Sequence, residues 1–178
     1  MAQILFANDT NLLFIDKFLR GIYSVSGRED FLPSVSGFAE IDLQHKIQLL
    51  VLNKKSPSFD LQKALEAVVT NGVIVMNADE KSYAGIKLTK PMQLITYGYN
   101  PKSTITASSV VVHENISVQC CIQRQFATLG GEVLEPQEFL VRTSYLELKE
   151  DDILAAVTVA LLCGVRVDEV SSASLPNI

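Results

Sequence analysis

Short apolar segments that alternate with helical patterns constrain the fold of this chain more than any other feature. Two of them, "IQLLVLN" (47–53) and "VIVMN" (73–77), are nearly unbroken apolar runs, as expected for central strands that are covered on both faces. Shorter apolar runs at 2–8 and 94–98 complete the set. Helical patterns separate the strand at 2–8 from the strand at 47–53, and that strand from the one at 73–77. The sequence therefore predicts right-handed crossovers and a mainly parallel sheet.

Two helices are predicted between the strands. The first has apolar residues at helical spacing, namely Leu12, Ile15, Phe18, Leu19 and Ile22. The second is expected to open at Pro57 and Ser58 and to end at Asn71-Gly72. Its expected buried stripe is Leu61, Ala64, Leu65, Val68 and Val69. Residues 24–40, which are rich in Ser, Gly and Pro, are predicted to form a loop.

The second half of the chain lacks a helical period until its last segment. β-Branched residues from about 104 to 148 predict an antiparallel β-meander that packs beside the parallel sheet. Turn signals lie within this stretch at Glu114-Asn115 and Gly130-Gly131. Residues 151–163 predict a helix that covers the core. The predicted fold is therefore a single three-layer α/β domain over residues 1–178, with a P-loop-like topology and an antiparallel meander.

Composition and charge exclude several classes of protein. The net charge of -5 argues against a nucleic-acid partner, because no basic surplus exists to neutralise phosphates. No apolar run is long enough for a membrane span, and the N-terminus lacks the features of a signal peptide, so a cytoplasmic location is expected. Cys120 and Cys121 are adjacent in a predicted strand and should point to opposite faces. Buried thiols are therefore expected, with no disulfide and no zinc site.

The segment "ILFANDTNLLF" (4–14) has the layout of a phosphate-binding loop without its chemistry. An apolar strand enters a polar turn, and an amphipathic helix comes next. The turn has no glycine to close backbone N–H groups around a phosphate and no lysine to reach it. Asn8 and Asp9 could bind a cation instead, or Asp9 or Thr10 could cap the adjoining helix.

A second set of candidates follows the predicted strand at 73–77. Asn77 and Asp79 stand at its carboxyl end, the edge where ligands bind in open α/β sheets. They are candidate nucleotide or metal contacts, or alternatively they terminate the strand and cap the next segment of the chain. Other polar groups are expected to be structural or solvated: His45, His113, and the helix start at Glu150, Asp151 and Asp152.

Several motifs in order resemble the central, ATP-binding domain of the Mur ligases, a fold whose relatives include folylpolyglutamate synthetase. They are "VIVMNADEK", "LITYGYN", the meander and "DDILAAVTVALLCGV". The order and spacing match from about residue 60 to residue 168. By this resemblance the segment 4–20 stands where the family has the phosphate-binding motif Thr-Gly-Thr-Asn-Gly-Lys-Thr-Thr. The family's flanking N- and C-terminal domains are expected to be missing.

The resemblance implies that the phosphate-binding loop is degenerate at Asn8, Asp9, Thr10 and Asn11. In its register Ala7 and Thr10 replace glycines, and Asn11 replaces the lysine. The hydroxyl residues of the family's loop, which hold magnesium, are replaced by Leu12 and Leu13.

Positions outside the loop agree with this loss. By the resemblance, Asn53 occupies the position of a glutamate that binds magnesium in the family, and Asp152 occupies the position of the asparagine that starts the last long helix. Leu148 and Lys149 stand where the family often has His-Asn. What survives is Asn77-Ala78-Asp79, whose asparagine in the family lies near adenine, so Asn77 and Asp79 are expected to mark a vestigial nucleotide cleft.

The function expected from the sequence is that of a catalytically inactive Mur-ligase-like domain, a binding or assembly module linked to cell-wall metabolism. No catalytic residue, metal or cofactor is expected. The alternative is an ATP-dependent amide ligase that works with partner chains, for which Lys54 or Lys55 would have to replace the missing lysine. A small-molecule sensor that uses the old cleft is a third possibility.

Self-association is expected from the apolar composition. The mean hydropathy is +0.23 and charged residues make up 20% of the chain. Exposed apolar patches usually mark interfaces, and symmetric self-association is the commonest way to cover them. A homo-oligomer or an unidentified protein partner is therefore predicted, with no membrane and no nucleic acid among the partners.

Overall fold

The computed structural model describes residues 3–7, 11–28, 34–37, 46–54 and 60–173. Its helices are α1 (Leu12–Val25), α2 (Leu61–Ala67), α3 (Glu150–Leu162) and α4 (Val167–Ser172), and a 3-10 turn lies at Lys81–Tyr83. Its strands are β1 (Gln3–Phe6), β2 (Ser34–Gly37), β3 (Ile47–Leu52), β4 (Val68–Asn77), β5 (Gln93–Gly98), β6 (Ile105–Val112), β7 (Ile116–Ile122), β8 (Phe126–Ala127), β9 (Val133–Leu134) and β10 (Gln137–Thr143).

One mixed sheet organises the fold, with the strand order β10-β7-β6-β5-β4-β3-β1-β2. All pairs from β2 through β1, β3, β4 and β5 to β6 are parallel. Strand β7 is antiparallel to β6, and β10 is antiparallel to β7. The predicted α/β class with a mainly parallel sheet is therefore confirmed.

The meander extends this sheet, which corrects the expectation that it would pack beside it. Strand β6 continues the sheet because it pairs with the end of β5, where Tyr97 lies opposite Ile105. Strands β7 and β10 then add antiparallel ribbons to the same sheet. A separate two-stranded hairpin of β8 and β9 turns at Gly130-Gly131, as predicted, with Gly131 at a positive φ of 85°.

An edge strand lies within the region that was predicted to be a loop. Strand β2 pairs in parallel with β1, from Gln3 opposite Ser34 to Phe6 opposite Gly37. Its sequence, SVSG, has one apolar residue, Val35, which packs against the core. Four small residues show no hydrophobic period, so this strand exists because an edge of β1 is available and not because of its own pattern.

The second helix ends earlier than predicted. Helix α2 stops at Ala67, and Val68 and Val69 belong to β4. Val68 is buried as expected, but it pairs with Ile47 in the sheet, and the register then shifts. Asn71 adopts a positive φ of 63° inside the strand, so the Asn-Gly pair forms an irregularity in β4 and does not end the helix. The expected helix start at Pro57 and Ser58 lies outside the described residues.

Helices cover both faces of the parallel part of the sheet. Helices α1, α3 and α4 pack on one face, whereas α2 and Tyr83 pack on the other. Residues 152–162 of α3 are all buried, which explains why this helix is apolar on every side. The predicted covering helix is thus confirmed. Within the described residues no helix is long and apolar enough to cross a membrane.

Candidate functional site

Polar side chains converge where the parallel strands end and helix α3 begins. Asn53 directly follows β3, Asn77 is the last residue of β4, and Tyr97 lies one residue before the end of β5. Asp152 reaches Asn53 from the first turn of α3. Ligands of open α/β sheets bind outside this edge, which makes it the candidate site.

The carboxylate of Asp152 is the centre of a buried hydrogen-bond network. Its Oδ2 accepts a hydrogen bond of 2.7 Å from Asn11 Nδ2, and its Oδ1 accepts one of 2.7 Å from Asn53 Nδ2. The backbone N–H of Lys149 donates to the same Oδ2 at 3.1 Å, which forms a capping box at the start of α3. Asn53 Oδ1 in turn accepts from the hydroxyl of Tyr97 at 2.9 Å.

These groups are almost completely removed from solvent. Asp152 and Asn53 are each 1% exposed, and Tyr97 is 0% exposed. Burial raises the pKa of Tyr97 well above its ordinary value, and the nearby carboxylates of Asp151 and Asp152 add to this shift. Tyr97 therefore stays a neutral hydrogen-bond donor. Among the ion pairs of the described residues none involves Asp152, so neutral donors and the helix N-terminus stabilise its charge.

Asn77 and Asp79 shape the turn that leaves β4. The backbone N–H of Asp79 donates to Asn77 Oδ1 at 3.0 Å, which is the pattern of an Asx turn. Asp79 Oδ2 accepts from the backbone N–H of Tyr99 at 2.5 Å, which ties the end of β4 to the end of β5. Both side chains therefore accept a backbone N–H group, Asn77 within the turn and Asp79 from the end of the neighbouring strand.

Gly98 permits this connection between the two strands. Its φ is +137°, a conformation that side-chain-bearing residues rarely adopt. A β-carbon at Gly98 would meet Asp79 Oδ2 and would lie 3.0 Å from Asp79 Cγ and 3.3 Å from Asn77 Oδ1. The close approach of the Asp79 carboxylate to the backbone therefore requires glycine.

Asp151 adds a second carboxylate to the site. Burial raises its pKa above the ordinary value of 3.8, and the negative charges of Asp152 and Asp79 raise it further. Lys54 and a hydrogen bond with Asn77 act in the opposite direction. The net rise means that burial, together with repulsion from Asp152 and Asp79, outweighs the attraction to Lys54 and the hydrogen bond with Asn77.

Asp151→Asn is expected to make the protein more stable at neutral pH. A folded-state pKa above 3.8 means that the folded chain binds this proton more tightly than the unfolded chain. Wild-type stability therefore falls as the pH rises through the window just above 3.8, whereas the amide has no proton to lose. Urea denaturation at neutral pH and at progressively lower pH should show the advantage of the variant shrinking with acidification. The exposed Glu147, changed to Gln, serves as the control, and a variant less stable than wild type at neutral pH would contradict the assignment.

The structure brings some of the expected site residues together. Asn77, Asp79 and Asn11 all lie at the strand ends, and Asn53 joins Asn11 through Asp152. Asn8, Asp9 and Thr10 lie outside the described residues, as does His45. The helix cap expected at Asp9 or Thr10 therefore also lies outside the described residues. Helix α1 begins at Leu12, and the carbonyl of Asn11 accepts a helical hydrogen bond from the backbone N–H of Ile15 at 2.9 Å.

Sequence reasoning missed the role of Asp152. It was expected to be one of three acidic residues at a helix start that the helix dipole favours, and the structure shows that it is also a buried hydrogen-bond acceptor. The available signal was its position three residues after Lys149, directly before an all-apolar helix, where a capping side chain is common. Cys120 is buried as expected, whereas Cys121 is only partly buried, and the three cysteines are free.

The part of the chain that the structure describes has no cluster of side chains suited to a metal ion. No group of three or more His, Cys, Asp or Glu residues there could hold a metal ion. The carboxylates of Asp79, Asp151 and Asp152 are instead engaged with backbone N–H groups, asparagine amides or both.

Comparison with known structures identifies the fold. The chain superposes on a UDP-N-acetylmuramoylalanyl-D-glutamyl-2,6-diaminopimelate–D-alanyl-D-alanyl ligase from Acinetobacter baumannii with a TM-score of 0.69 and 15% identity, covering 98% of this chain and 45% of that one. It superposes on the MurF ligase from Thermotoga maritima in complex with ADP with a TM-score of 0.63 and 9% identity, covering 96% and 48%. A UDP-N-acetylmuramate–alanine ligase from Thermotoga maritima gives a TM-score of 0.63 at 8% identity, covering 97% and 44%.

The chain has a Mur-ligase-like fold. It spans less than half the length of each of these three ligases. No protein-family model matches the sequence, and no curated protein matches it either. The Mur-ligase-like fold confirms the expected α/β architecture. At sequence identities of 8 to 15%, the similarity shows a shared fold and nothing about activity.

Proposed function

We propose that this Mur-ligase-like domain does not bind ATP for catalysis and acts as a binding or assembly module. The observation that carries the proposal is the closed network in which Asn11 and Asn53 both donate to the buried carboxylate of Asp152. In the register of the resemblance, Asn11 replaces the lysine of the phosphate-binding loop and Asn53 replaces the magnesium-binding glutamate. Two positions that would serve a nucleotide are thus occupied by amides bonded to one carboxylate.

The chemistry of this network opposes phosphate binding. A phosphate is held by several N–H donors and a cation, and each charge-assisted hydrogen bond contributes roughly 1.5–3 kcal/mol. Here one of the two amide N–H groups of Asn11 already donates to Asp152. The buried charge of Asp152, with Asp151 and Asp79 beside it, would repel a triphosphate. The combined loss corresponds to several orders of magnitude in affinity.

Calorimetric titration with Mg-ATP and Mg-ADP tests this half of the proposal. No heat of binding is expected at micromolar nucleotide. MurF from Thermotoga maritima, which was crystallised with ADP, is the positive control. A micromolar dissociation constant for either nucleotide would contradict the proposal, because it would require the Asp152 network to open or to lie away from the phosphates.

One observation favours a second candidate, an ATP-dependent ligase that works with partner chains. Lys54 lies close enough to Asp151 to oppose the rise in the pKa of that carboxyl group, so a cation is present at the edge of the site. If Lys54 served the phosphates, nucleotide binding would be seen in the same titration and would be lost in Lys54→Met. Absence of binding in the wild-type protein would mean that the isolated chain does not hold nucleotide through Lys54.

The cellular context of the module follows from its structural relatives. The similar ligases carry UDP-N-acetylmuramate or its peptides in their names, which supports a link with cell-wall metabolism. In this proposal the domain acts by binding another protein through its surface, and the hydrogen-bond network at the strand ends stabilises the fold. The role requires a protein partner, either a second copy or another chain.

A further inference from the structure

The last strand of the sheet, β10, has an outer edge that pairs with no strand in the described part of the chain, although helix α4 packs against this strand. It is the terminal strand in the order β10-β7-β6-β5-β4-β3-β1-β2, and it is 7 residues long. One edge pairs with β7 along its whole length, from Gln137 opposite Ile122 to Thr143 opposite Ile116. In the described part of the chain no strand pairs with the other edge. That leaves roughly 20 Å of backbone whose hydrogen-bonding groups have no strand partner.

Two opposite charges lie symmetrically on this strand. Glu138 and Arg142 are exposed, and both point to the face of the sheet away from α3, with Leu140 half-buried between them. Neither takes part in an ion pair with another described residue. Their neighbours on β7 are the uncharged Cys121 and Ser117. Within one copy, the described strands therefore leave both charges without a partner.

We infer that β10 pairs antiparallel with β10 of a second copy, with the two-fold axis at Leu140. In this register Glu138 of each copy lies opposite Arg142 of the other, which gives two cross-strand ion pairs by symmetry. Leu140 lies opposite itself, and Phe139 lies opposite Val141. Opposite charges and apolar pairs directly across an antiparallel ribbon both stabilise it. A closed two-fold dimer with a continuous sheet results.

The charge pattern distinguishes this arrangement from the alternatives. Parallel pairing in register would place Glu138 opposite Glu138 and Arg142 opposite Arg142. Antiparallel pairing displaced by one residue would lose both ion pairs. Edge charges that protect a strand from self-association are of one sign, so they repel the same charges of a second copy. Glu138 and Arg142 have opposite signs, and each lies opposite its counter-charge on the second copy only in the register centred on Leu140. The self-complementarity is thus the argument for a second copy as the occupant.

This inference names the partner for the assembly role proposed above, and it rests on that role only for its biological meaning. The strand edge is separate from the Asp152 network, because β10 lies at the end of the sheet, beyond β5, β6 and β7. Nucleotide titration tests the cleft, and self-association tests the edge. Either result can fail without the other.

Sedimentation equilibrium of charge-swap variants tests the dimer. The wild-type protein is expected to sediment at twice the chain mass of 19.6 kDa. Glu138→Arg and Arg142→Glu, each alone, place like charges opposite each other at two positions and should weaken the dimer roughly tenfold or more. The double variant Glu138→Arg/Arg142→Glu rebuilds both pairs with exchanged signs and should restore dimerisation. Far-UV circular dichroism confirms that each variant is folded.

Lys87→Glu provides the matched control for Arg142→Glu. It makes the same change of net charge on an exposed residue. Lys87 lies near α2 and is 50 residues before the start of β10 in the sequence. It should leave the dimer unchanged. A wild-type protein that is monomeric at its highest soluble concentration would overturn the inference, as would a double variant that dimerises no better than the single swaps.

Discussion

Asp152→Ala is expected to destabilise the protein by about 3 kcal/mol, which lowers the melting temperature by about 10 °C in a chain of this size. The substitution removes three acceptor bonds and leaves the amide N–H groups of Asn11 and Asn53 buried without that acceptor. An unsatisfied buried donor costs about 1–3 kcal/mol, and the loss of the cap at α3 adds to it. Relief of a buried charge that has no cationic partner among the described residues offsets part of the loss.

Asp152→Asn separates the hydrogen bonds from the charge. The side chain keeps its shape and one acceptor oxygen, so the cost is expected to be about 1 kcal/mol. Asn53 could then turn its amide, because the Tyr97 hydroxyl can accept as well as donate a hydrogen bond. Urea denaturation of both variants measures the difference. An alanine variant as stable as the wild type would show that the network contributes nothing to the fold.

A double-mutant cycle between Asn53 and Asp152 tests whether the two act as one unit. Asn53→Ala alone removes one donor to Asp152 and the acceptor of the Tyr97 hydroxyl. Because the residues are in contact, the double alanine variant should cost less than the sum of the single variants. Additive effects would mean that the hydrogen bond between Asn53 and Asp152 is energetically unimportant.

The central architecture could be predicted because its signals are local. Strand β3 and helix α3 are continuous apolar segments, and a residue that is buried on all sides must be apolar wherever it lies in the fold. The carboxyl end of β4 was located for the same reason, and Asn77 and Asp79 with it. These predictions depend only on neighbours in the sequence.

The errors occurred where tertiary structure overrides a weak local preference. Strand β2 has a single apolar residue, and its conformation depends on pairing with β1. Val68 suits a buried helix position and a buried strand position equally well, so the boundary after Ala67 depends on the pairing of Val68 with Ile47. No window of sequence around these residues contains the deciding partner.

The sequence predicted where in the fold the candidate site lies, but it did not predict which of its residues are hydrogen-bonded to each other. Asp152 bonds to Asn53 and Asn11, which are 99 and 141 residues away in the sequence. A polar residue at a helix start is usually solvated, and only the fold shows that it is buried here. The resemblance placed Asn11, Asn53 and Asp152 at family positions one by one, but it could not show that the three would bond to each other.

Gly98→Ala is the second substitution for which a large effect is expected, a loss of about 2–4 kcal/mol. Two costs combine. The φ of +137° is strained for any residue with a side chain, and the new β-carbon would meet the carboxylate of Asp79. That carboxylate cannot simply turn away, because it accepts the backbone N–H of Tyr99 and so joins the ends of β4 and β5.

Gly21→Ala is the matched control, since it makes the same chemical change in the interior of α1. Apart from its chain neighbours and the helix's own backbone, the described residues place no heavy atom within 4 Å of a β-carbon built there, and the residue lies within α1. Alanine at that position should stabilise the protein by about 0.5–1 kcal/mol, because it removes the backbone entropy that glycine loses in a helix. Opposite signs for the two glycines would attribute the loss at Gly98 to its site and not to the substitution itself.

The double variant Gly98→Ala/Asp79→Ala divides the loss between its two causes. Removing the Asp79 carboxylate eliminates the collision, whereas the backbone strain at residue 98 remains. Part of the stability should therefore return relative to Gly98→Ala, even though Asp79→Ala alone is expected to destabilise by losing the bond to Tyr99. Chemical denaturation of the four proteins gives the coupling energy. A coupling near zero would mean that the Asp79 side chain does not approach residue 98, and the description of this strand connection would have to be abandoned.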